Sequence, residues 1–196
     1  MTDEHLATRI EVFPEAKVPL ALRTQMVALQ DQAWPADVPS GPEPWHDPAL
    51  APTSMLLVQS DGRVLAALDI LSKDIDHAGE RWSVSGLSAV VTDASVRNAG
   101  HGGRLVSAAR ARIGSSGADL GLFTCDAPLR SFYERAGWEH LAGTFLIGGT
   151  PEDPYPSDTL AKVTLGGFFT DRAVDAREAF VGARIALYPG VIDRLW

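Results

Sequence analysis

Apolar residues are spaced along this chain in two patterns, and the first is typical of strands. The short apolar or alternating runs of the first half are residues 8–13, 55–58, 64–71 and 81–92. Asp61-Gly62 stands between two of these runs, and Asp-Gly in that position is a strong hairpin signal. The first half therefore predicts a strand, a hairpin and a further long strand, whose pattern breaks at Gly86.

The second pattern is the spacing of three or four residues that buries one face of a helix. It begins after Pro19 and recurs over residues 104–113 and 128–136. The last of these helices is predicted to bury Leu129, Phe132, Tyr133 and Ala136. Gly137 follows it and supplies the usual left-handed stop.

The segment between the first helix and the hairpin is irregular. Residues 34–52 contain six prolines, which exclude a long helix. Trp34 and Trp45 give the segment large apolar side chains to bury. Because a loop of this length in a compact domain is usually functional or mobile, this segment is a candidate binding loop.

Shorter apolar runs predict more strands in the second half of the chain, at residues 119–124, 138–147 and 160–165. Strands precede and follow single helices, and no repeat, low-complexity run or linker divides the chain. The sequence therefore predicts one α/β domain over residues 1–196, with a mixed sheet and helices on both sides of it.

Composition narrows the classes of function. The 196 residues are 45% hydrophobic and 21% charged, and no apolar run approaches the roughly 20 residues of a membrane span. A net charge of −8 disfavours binding to nucleic acid or to an anionic membrane, and it would attract a cationic substrate. The lone Cys125 and the polar, acidic N-terminus fit a cytoplasmic protein without disulfides. The five histidines show no metal-ligand spacing, so no metal is expected.

Residues 97–103, Arg-Asn-Ala-Gly-His-Gly-Gly, form a glycine-rich turn between a predicted strand and a predicted helix. The N-terminus of a helix presents free backbone N–H groups that bind phosphate, and glycine lets the backbone approach the anion closely. Arg104-Leu105 stands where a P-loop has Lys-Ser/Thr and where a dinucleotide fingerprint has its third glycine. A plain tight turn without a ligand remains the alternative.

Two blocks resemble the GNAT superfamily of N-acetyltransferases. Arg97-x-x-Gly100-x-Gly102 is similar to the family signature whose backbone amides hold the pyrophosphate of coenzyme A, and residues 129–138 resemble the family helix that ends in Tyr-x-x-x-Gly-Phe/Trp. The resemblance covers residues 64–147. It implies a mostly antiparallel mixed sheet flanked by helices, with a central V-shaped splay for acetyl-CoA. Residues 1–63 would then carry the acceptor loop, and residues 148–196 the acceptor-side tail.

The resemblance assigns roles to individual residues. It implies that the cosubstrate is bound by Val90, Val91, Thr92, Arg97, Asn98, Ala99, Gly100, His101, Gly102, Gly103, Arg104 and Asp126. Tyr133 matches the family tyrosine near the thioester sulfur and would be the general acid, although its position on the helix stripe also suits a core residue. Asp126 is also expected to cap the helix that follows it.

The general base is left open by the sequence. Ser88 occupies the position at which several family members have a glutamate, and a serine cannot deprotonate an ammonium directly but could orient a water. The other candidates are Asp69, Asp74, Asp76 and His77, or Asp37, Glu43, His46 and Asp47 in the proline-rich loop. Cys125 is expected to pack as a small apolar residue rather than act as a nucleophile.

The same resemblance implies that the acceptor is a small amine. Residues 104–108 and 135–138 are similar to segments of the aminoglycoside 2'-N-acetyltransferases, which suggests Trp45, Asp47 and Trp196 as acceptor-binding residues. Ser88, and Pro44 before Trp45, depart from that pattern. Other small amines, a non-catalytic acyl-CoA-binding domain and a protein-modifying acetyltransferase stay open as alternatives. The family often forms homodimers.

Overall fold

The first four strands form an antiparallel half-sheet. In this computed structural model, which describes residues 7–35 and 41–188, the strands are β1 (Thr8–Pro14), β2 (Thr53–Gln59), β3 (Val64–His77) and β4 (Glu80–Thr92). Each pairs with the next in antiparallel register. Gly62 has a φ of +89°, a left-handed conformation that glycine adopts without strain, so the hairpin predicted at Asp61-Gly62 is confirmed.

The sheet then continues through one parallel step. The remaining strands and helices of the chain are β5 (Leu120–Asp126), β6 (Glu139–His140), β7 (Phe145–Gly149), β8 (Pro154–Pro156), β9 (Lys162–Phe168), β10 (Arg184–Ala186), α1 (Leu20–Ala33), α2 (His101–Ser115), α3 (Arg130–Arg135) and α4 (Asp171–Asp175). The strand order of the main sheet is β1-β2-β3-β4-β5-β9-β6. Among the described strands of this main sheet, β4 and β5 are the only neighbours that run parallel, so the mixed, mostly antiparallel sheet is confirmed.

The two central strands separate after a short contact. The ladder between β4 and β5 has two pairs, Val84 with Leu120 and Ser85 with Gly121, although both strands continue beyond them. This is the V-shaped splay that the resemblance implied. On its other side β4 carries a bulge, because two residues, Ala89 and Val90, lie opposite one residue of β3. The break in the strand pattern thus falls at Ala89, which has a φ of +49°, and not at Gly86.

Helices cover both faces of the sheet, as predicted. Alternate residues of β2 point to opposite faces, so Leu56 packs with Met26 of α1, whereas Leu57 packs in the cluster that holds Leu105 and Val106 of α2. The first strand and the first helix match the predicted ones closely. Helix α2 begins three residues before the predicted start, at His101, because Gly102 and Gly103 are part of the helix and Gly102 packs against Thr92 of β4.

The segment at residues 138–147 is a correction to the sequence prediction of one strand. Leu141 to Thr144 make a turn, and the chain on either side joins two different sheets. β6 pairs with β9 in the main sheet, while β7 lies between β10 and β8 in a second, three-stranded sheet. The helix predicted over residues 128–136 is a 3-10 turn followed by α3, and Leu129 in that turn is exposed rather than buried.

Within residues 7–35 and 41–188, no helix is both long enough and apolar enough to cross a membrane.

Candidate functional site: a cleft at the splay of the sheet

A cavity of about 770 Å³ opens where β4 and β5 separate. Its wall, called the cleft here, consists of Ala33, Trp34, Val90, Val91, Thr92, Arg97, Asn98, Gly100, His101, Gly102, Gly103, Ser107, Asp126, Leu129, Phe132, Tyr133, Arg135 and Ala136. The last residues of β4, the first turn of α2 and the helix α3 thus face one another across it. The volume lies within the range of small-molecule and cofactor sites.

The first turn of α2 faces into the cleft because of its glycines. Gly100 stands just before the helix with a φ of +83°, and a Cβ there would meet nothing within 4 Å. Gly102 is buried, and a Cβ on it would lie 2.6 Å from Thr92 Oγ1. The glycines therefore allow the helix end to lie against β4 and leave its approach open. A diphosphate fits this arrangement, because free N–H groups at the N-terminus of a helix bind anions.

Most of the predicted cosubstrate residues meet at the cleft. Among the described residues of the turn, Ala99 and Arg104 do not line it. The guanidinium of Arg104 instead donates hydrogen bonds to the hydroxyl and the carbonyl oxygen of Thr8 on β1. Arg97 is exposed at the cleft wall, so of the two arginines it is the one placed to add positive charge there.

Tyr133 lies in the wall of the cleft, and it is only 6% exposed. Its ring packs edge-on against Phe123 at 5.0 Å and against Phe132 at 4.9 Å between centroids. Burial, with smaller contributions from Cys125 and Asp126, raises the pKa of the phenol well above its usual range. The phenol therefore stays protonated at neutral pH, as a proton donor must. Tyr133 is therefore packed in the core and lines the cleft as well.

Two residues at the end of β5 have simple structural explanations. Cys125 is buried, and burial raises the pKa of its thiol to about 11, which makes it a poor nucleophile. Asp126 lines the cleft, but its side chain does not cap the turn that follows. Its carboxylate lies 2.6 Å from the ammonium of Lys162 on the neighbouring strand, and this ion pair takes the place of the predicted cap.

Ser88 is not among the residues that line the cleft, and it belongs to a buried polar cluster on the same strand as Val90. The register of the sheet places Ser54, Asp69 and Ser88 next to one another on three successive strands. The hydroxyl of Ser54 donates to Asp69 Oδ1 at 2.5 Å. Burial raises the pKa of Asp69 to about 6, although His46 and the bond from Ser54 both oppose the shift.

His46, in the proline-rich loop, lies next to Ser88 and Asp69 of this cluster. Its Nε2 lies 3.3 Å from Ser88 Oγ, and its Nδ1 lies 3.2 Å from Glu15 Oε1. Glu15 also accepts a hydrogen bond from the backbone of Trp45 and pairs with Arg23 of α1 at 3.4 Å. Burial alone would raise the pKa of Glu15, but the hydrogen bonds from His46 and Trp45 and the nearby positive charges hold it below its usual value.

Sequence reasoning named Ser88, His46 and Asp69 as separate candidates and missed Glu15 and Arg23. Glu15 follows a strand in a stretch, Pro-Glu-Ala-Lys, that reads as an exposed turn. Arg23 falls one residue after the apolar position Leu22 on an amphipathic helix and carries no sign of burial. Both side chains are nonetheless almost fully buried, and the ion pair that they form with each other explains why burial is tolerated.

Of the predicted acceptor residues, Trp45 is the one seen to pack against this cluster. Trp45 is exposed, and its ring lies 4.3 Å from that of His46 between centroids. Asp47 accepts a hydrogen bond from the backbone of Ala49 and begins a 3-10 turn, which gives it a local structural role. Trp196 and Asp37 lie outside the described residues. Asp74, Asp76 and Glu43 are exposed, while His77 bonds the carbonyl of Ala179 near the second sheet.

Comparisons with known proteins agree with this geometry. The family model described as acetyltransferase (GNAT) domain matches residues 18–141. The chain therefore belongs to the GNAT acetyltransferase family, whose members use acetyl-CoA as their cosubstrate. A comparison with curated protein sequences gave no match.

Solved structures of low sequence identity share the fold. The GNAT family N-acetyltransferase YhbS from Escherichia coli, in complex with CoA, has a TM-score of 0.62 at 17% identity over 96% of this chain and 93% of its own. An acyl-CoA N-acyltransferase from Pseudomonas aeruginosa has a TM-score of 0.56 at 17% identity, over 82% and 99%. Glucosamine-6-phosphate N-acetyltransferase from Arabidopsis thaliana has 0.53 at 13% identity, over 68% and 92%.

Proposed function

We propose that this protein transfers the acetyl group of acetyl-CoA to a primary amine of a small cationic molecule. The observation that carries the proposal is the cleft itself, whose wall holds both the N-terminus of α2 and the buried Tyr133 where β4 and β5 separate. One end of such a cleft suits a diphosphate and the other suits a departing thiolate. A non-catalytic acyl-CoA-binding domain would need only the first.

Binding is assigned to the chain's own backbone and to one arginine. The N–H groups of the first turn of α2, beside Gly100 and Gly102, hold the diphosphate, and Arg97 adds charge at the rim. The separation of β4 from β5 leaves the edge of β4 from Gly86 to Thr92 without a ladder to β5. An extended, amide-rich pantetheine arm suits that edge as an added strand does.

Catalysis is assigned to positioning and to proton transfer. The cosubstrate supplies an activated thioester. A backbone N–H group of the bulged part of β4, between Val90 and Thr92, polarises its carbonyl. Tyr133 donates its proton to the departing sulfur, which its raised pKa permits at neutral pH. Holding the amine and the thioester together accounts for a large part of the acceleration.

The acceptor is proposed to be cationic on the basis of charge and of the aromatic rim. The chain carries a net charge of −8. Trp34 and Trp45 are exposed tryptophans, the first at the cleft wall and the second on His46. Aromatic faces bind cationic ligands favourably. Aminoglycosides, polyamines and amino sugars all have this chemistry, and a peptide lysine is the competing acceptor of a protein-modifying enzyme.

A screen of amines separates these substrate classes. Release of CoA thiol is measured with acetyl-CoA and a panel of aminoglycosides, polyamines, amino sugars, amino acids and lysine peptides. We expect turnover with at least one small cationic amine and a lower kcat/KM with every peptide. Turnover with peptides alone would replace the proposal with protein modification.

A tyrosine variant separates an enzyme from a binding domain. Tyr133→Phe keeps the ring in its aromatic contacts and removes the proton donor, so we expect kcat to fall about 100-fold. Titration calorimetry should show the affinity for CoA unchanged within about two-fold. Tyr155→Phe, on β8 of the second sheet, is the matched control and should retain full activity. Absence of any heat on titration of both CoA and acetyl-CoA would overturn the proposed function altogether.

A further inference from the structure

The buried cluster beside β4 contains a chain of hydrogen bonds that the cleft does not explain. It runs from Ser88 on β4 to His46 in the proline-rich loop and then to Glu15 behind β1. The side chain of His46 has no exposure, and Ser88 is 6% exposed, so the imidazole can exchange a proton with a bound molecule only through the serine. Ser88 in turn precedes by two residues Val90, which lines the cleft.

We propose that Ser88, His46 and Glu15 form a proton relay that takes a proton from the acceptor amine. The proposal rests on the proposed function, since it supplies the general base that the reaction needs and that the sequence left open. Ser88 is the group that contacts the amine. His46 receives the proton through it, and Glu15 positions the imidazole.

The hydrogen-bond partners fix the tautomer that the relay needs. The Glu15 carboxylate can only accept, so His46 Nδ1 carries the hydrogen and donates it. Nε2 then has a free lone pair and accepts the hydrogen of the Ser88 hydroxyl at 3.3 Å. The lone pairs of Ser88 Oγ remain available to an amine hydrogen. The order serine, imidazole and carboxylate is the arrangement by which proteins make a hydroxyl basic.

The step balances in atoms and charges. As the amine nitrogen forms its bond to the acetyl carbon, one of its N–H bonds breaks. The proton released in this way is transferred to Ser88 Oγ. The hydrogen that Ser88 held passes to His46 Nε2, which becomes positively charged. The C–S bond then breaks, and the sulfur takes the proton of Tyr133. Solvent later removes the proton from His46 through Ser88 and returns one to Tyr133.

The charged groups around His46 can balance the positive charge that the imidazole gains in this step. Two carboxylates lie near His46 from separate elements, Glu15 after β1 and Asp69 of β3. Arg23 is paired with Glu15, and Asp69 Oδ2 lies 4.0 Å from His46 Nδ1. Asp69 Oδ2 and Glu15 Oε2 are buried without a hydrogen-bond partner. Two carboxylates and one guanidinium thus leave one negative charge to balance an imidazolium.

Metal binding does not explain the arrangement of these side chains as the relay does. Among the described residues, no group of three or more histidine, cysteine, aspartate or glutamate side chains has an arrangement that could hold a metal ion. A purely structural role for the cluster is the remaining alternative, because it joins the loop at Trp45 to β1 and to the sheet. The two roles make different predictions for kinetics.

The test compares two serines of the same strand. Ser85 is 2% exposed and its hydroxyl bonds that of Ser72 at 2.8 Å, so Ser85→Ala removes one buried hydrogen bond of β4 as Ser88→Ala does. With the best amine of the screen, we expect Ser88→Ala and His46→Gln each to lower kcat about 100-fold, and Ser85→Ala to lower it less than three-fold. Titration calorimetry should give all three variants the wild-type affinity for CoA.

Two further readouts would not respond to a merely structural role. The wild-type kcat at saturating amine should fall at acid pH as the relay takes up one proton, and that limb should disappear in His46→Gln. The double variant Ser88→Ala/His46→Gln should be no slower than either single variant, because the two residues act as one unit. Additive losses, with the acid limb retained in His46→Gln, would overturn the relay in favour of the structural role.

Other outcomes distinguish a failure of the relay from a failure of the proposed function. If the wild type acetylates an amine but Ser88→Ala keeps its rate, the relay is wrong and the proposed function stands. If no amine is acetylated, the proposed function is wrong. The tautomer is still measurable then by nitrogen NMR of the labelled imidazole, and hydrogen on Nε2 would exclude the relay independently. A mass gain of one acetyl group on Ser88, with acetyl-CoA alone, would make Ser88 a nucleophile instead.

Discussion

Gly102 lies so close to Thr92 that a Cβ on the glycine would be 2.6 Å from the threonine hydroxyl oxygen. The same Cβ would lie 3.4 Å from the ring of Phe132. The first turn of α2 is therefore held against the end of β4 by the absence of a side chain. This contact distinguishes Gly102 from the other glycines of the turn, which the sequence alone treats alike.

Alanine substitutions at two neighbouring glycines should have opposite effects. Gly102→Ala should lower the free energy of unfolding by about 1–2 kcal/mol, because Thr92 or the helix must move. Gly103→Ala should raise it by up to about 1 kcal/mol, since its nearest neighbour would be Phe132 at 4.0 Å and alanine favours the helix. Urea denaturation of both variants measures this. Equal destabilisation would mean that the contact with Thr92 does not control the turn.

The two arginines that flank the turn should contribute unequally to cosubstrate affinity. Arg97→Ala should weaken the binding of CoA about five-fold, and the loss should shrink as salt screens the exposed charge. Arg104→Ala should change the affinity less than two-fold, because its guanidinium is bonded to Thr8 on β1. Calorimetry at low and at high salt distinguishes them. A larger loss for Arg104→Ala would place the diphosphate on the other side of the helix end.

Cys125 should be nearly inert in the folded protein. Burial raises the pKa of its thiol to about 11, compared with an ordinary value of about 9, so its thiolate fraction at pH 7.5 falls about 100-fold. Iodoacetamide should therefore label the folded chain at least about 100 times more slowly than the chain in urea. Cys125→Ala should keep kcat within about three-fold. Fast labelling that abolishes activity would instead give the thiol a part in the reaction.

Asp69 should make the stability depend on pH in a definite direction. Because its pKa rises from 3.8 to about 6 on folding, the folded state binds more protons between these values. Asp69 therefore lowers the free energy of unfolding as the pH rises from about 4 to about 6. Asp69→Asn should remove this decline and add about 1–3 kcal/mol at pH 7 relative to the wild type.

The exposed Asp76 on the same strand gives the matched control. Asp76→Asn should leave the pH profile of the unfolding free energy as it is in the wild type. Urea denaturation at pH 4, 5, 6 and 7 provides the comparison. A decline that persists in Asp69→Asn would assign the titration to another carboxylate.

Some features of the site could be predicted because they depend on short stretches of chain. Gly100 needs a left-handed conformation directly before a helix, and the sequence around it carries that signal. Tyr133 stands at a fixed distance before Gly137, whose φ of +91° ends the short helix as predicted. The break in β4 was expected, but its place was not. The sequence does not predict the φ of +49° at Ala89, because an alanine carries no signal for a left-handed conformation.

Long-range relationships decided the rest. The run at residues 138–147 divides between two sheets because Leu141 and Thr144 are satisfied by bonds to β9 and to the segment before β10, which are distant in sequence. Likewise, Asp126 turns to Lys162 on β9 instead of capping the helix turn beside it. In both cases a partner far along the chain competes successfully with a local one.

The sequence by itself determined the strands of the first half, the main helices, the hairpin and the glycine turn, because apolar periodicity and glycine conformation act over a few residues. Only the tertiary structure decided that Glu15, His46 and Ser88 form one hydrogen-bonded line. These residues are 31 and 42 positions apart along the chain. Their contact depends on strand register and on how the proline-rich loop packs, and a buried charge finds its partner only when the whole fold has closed around it.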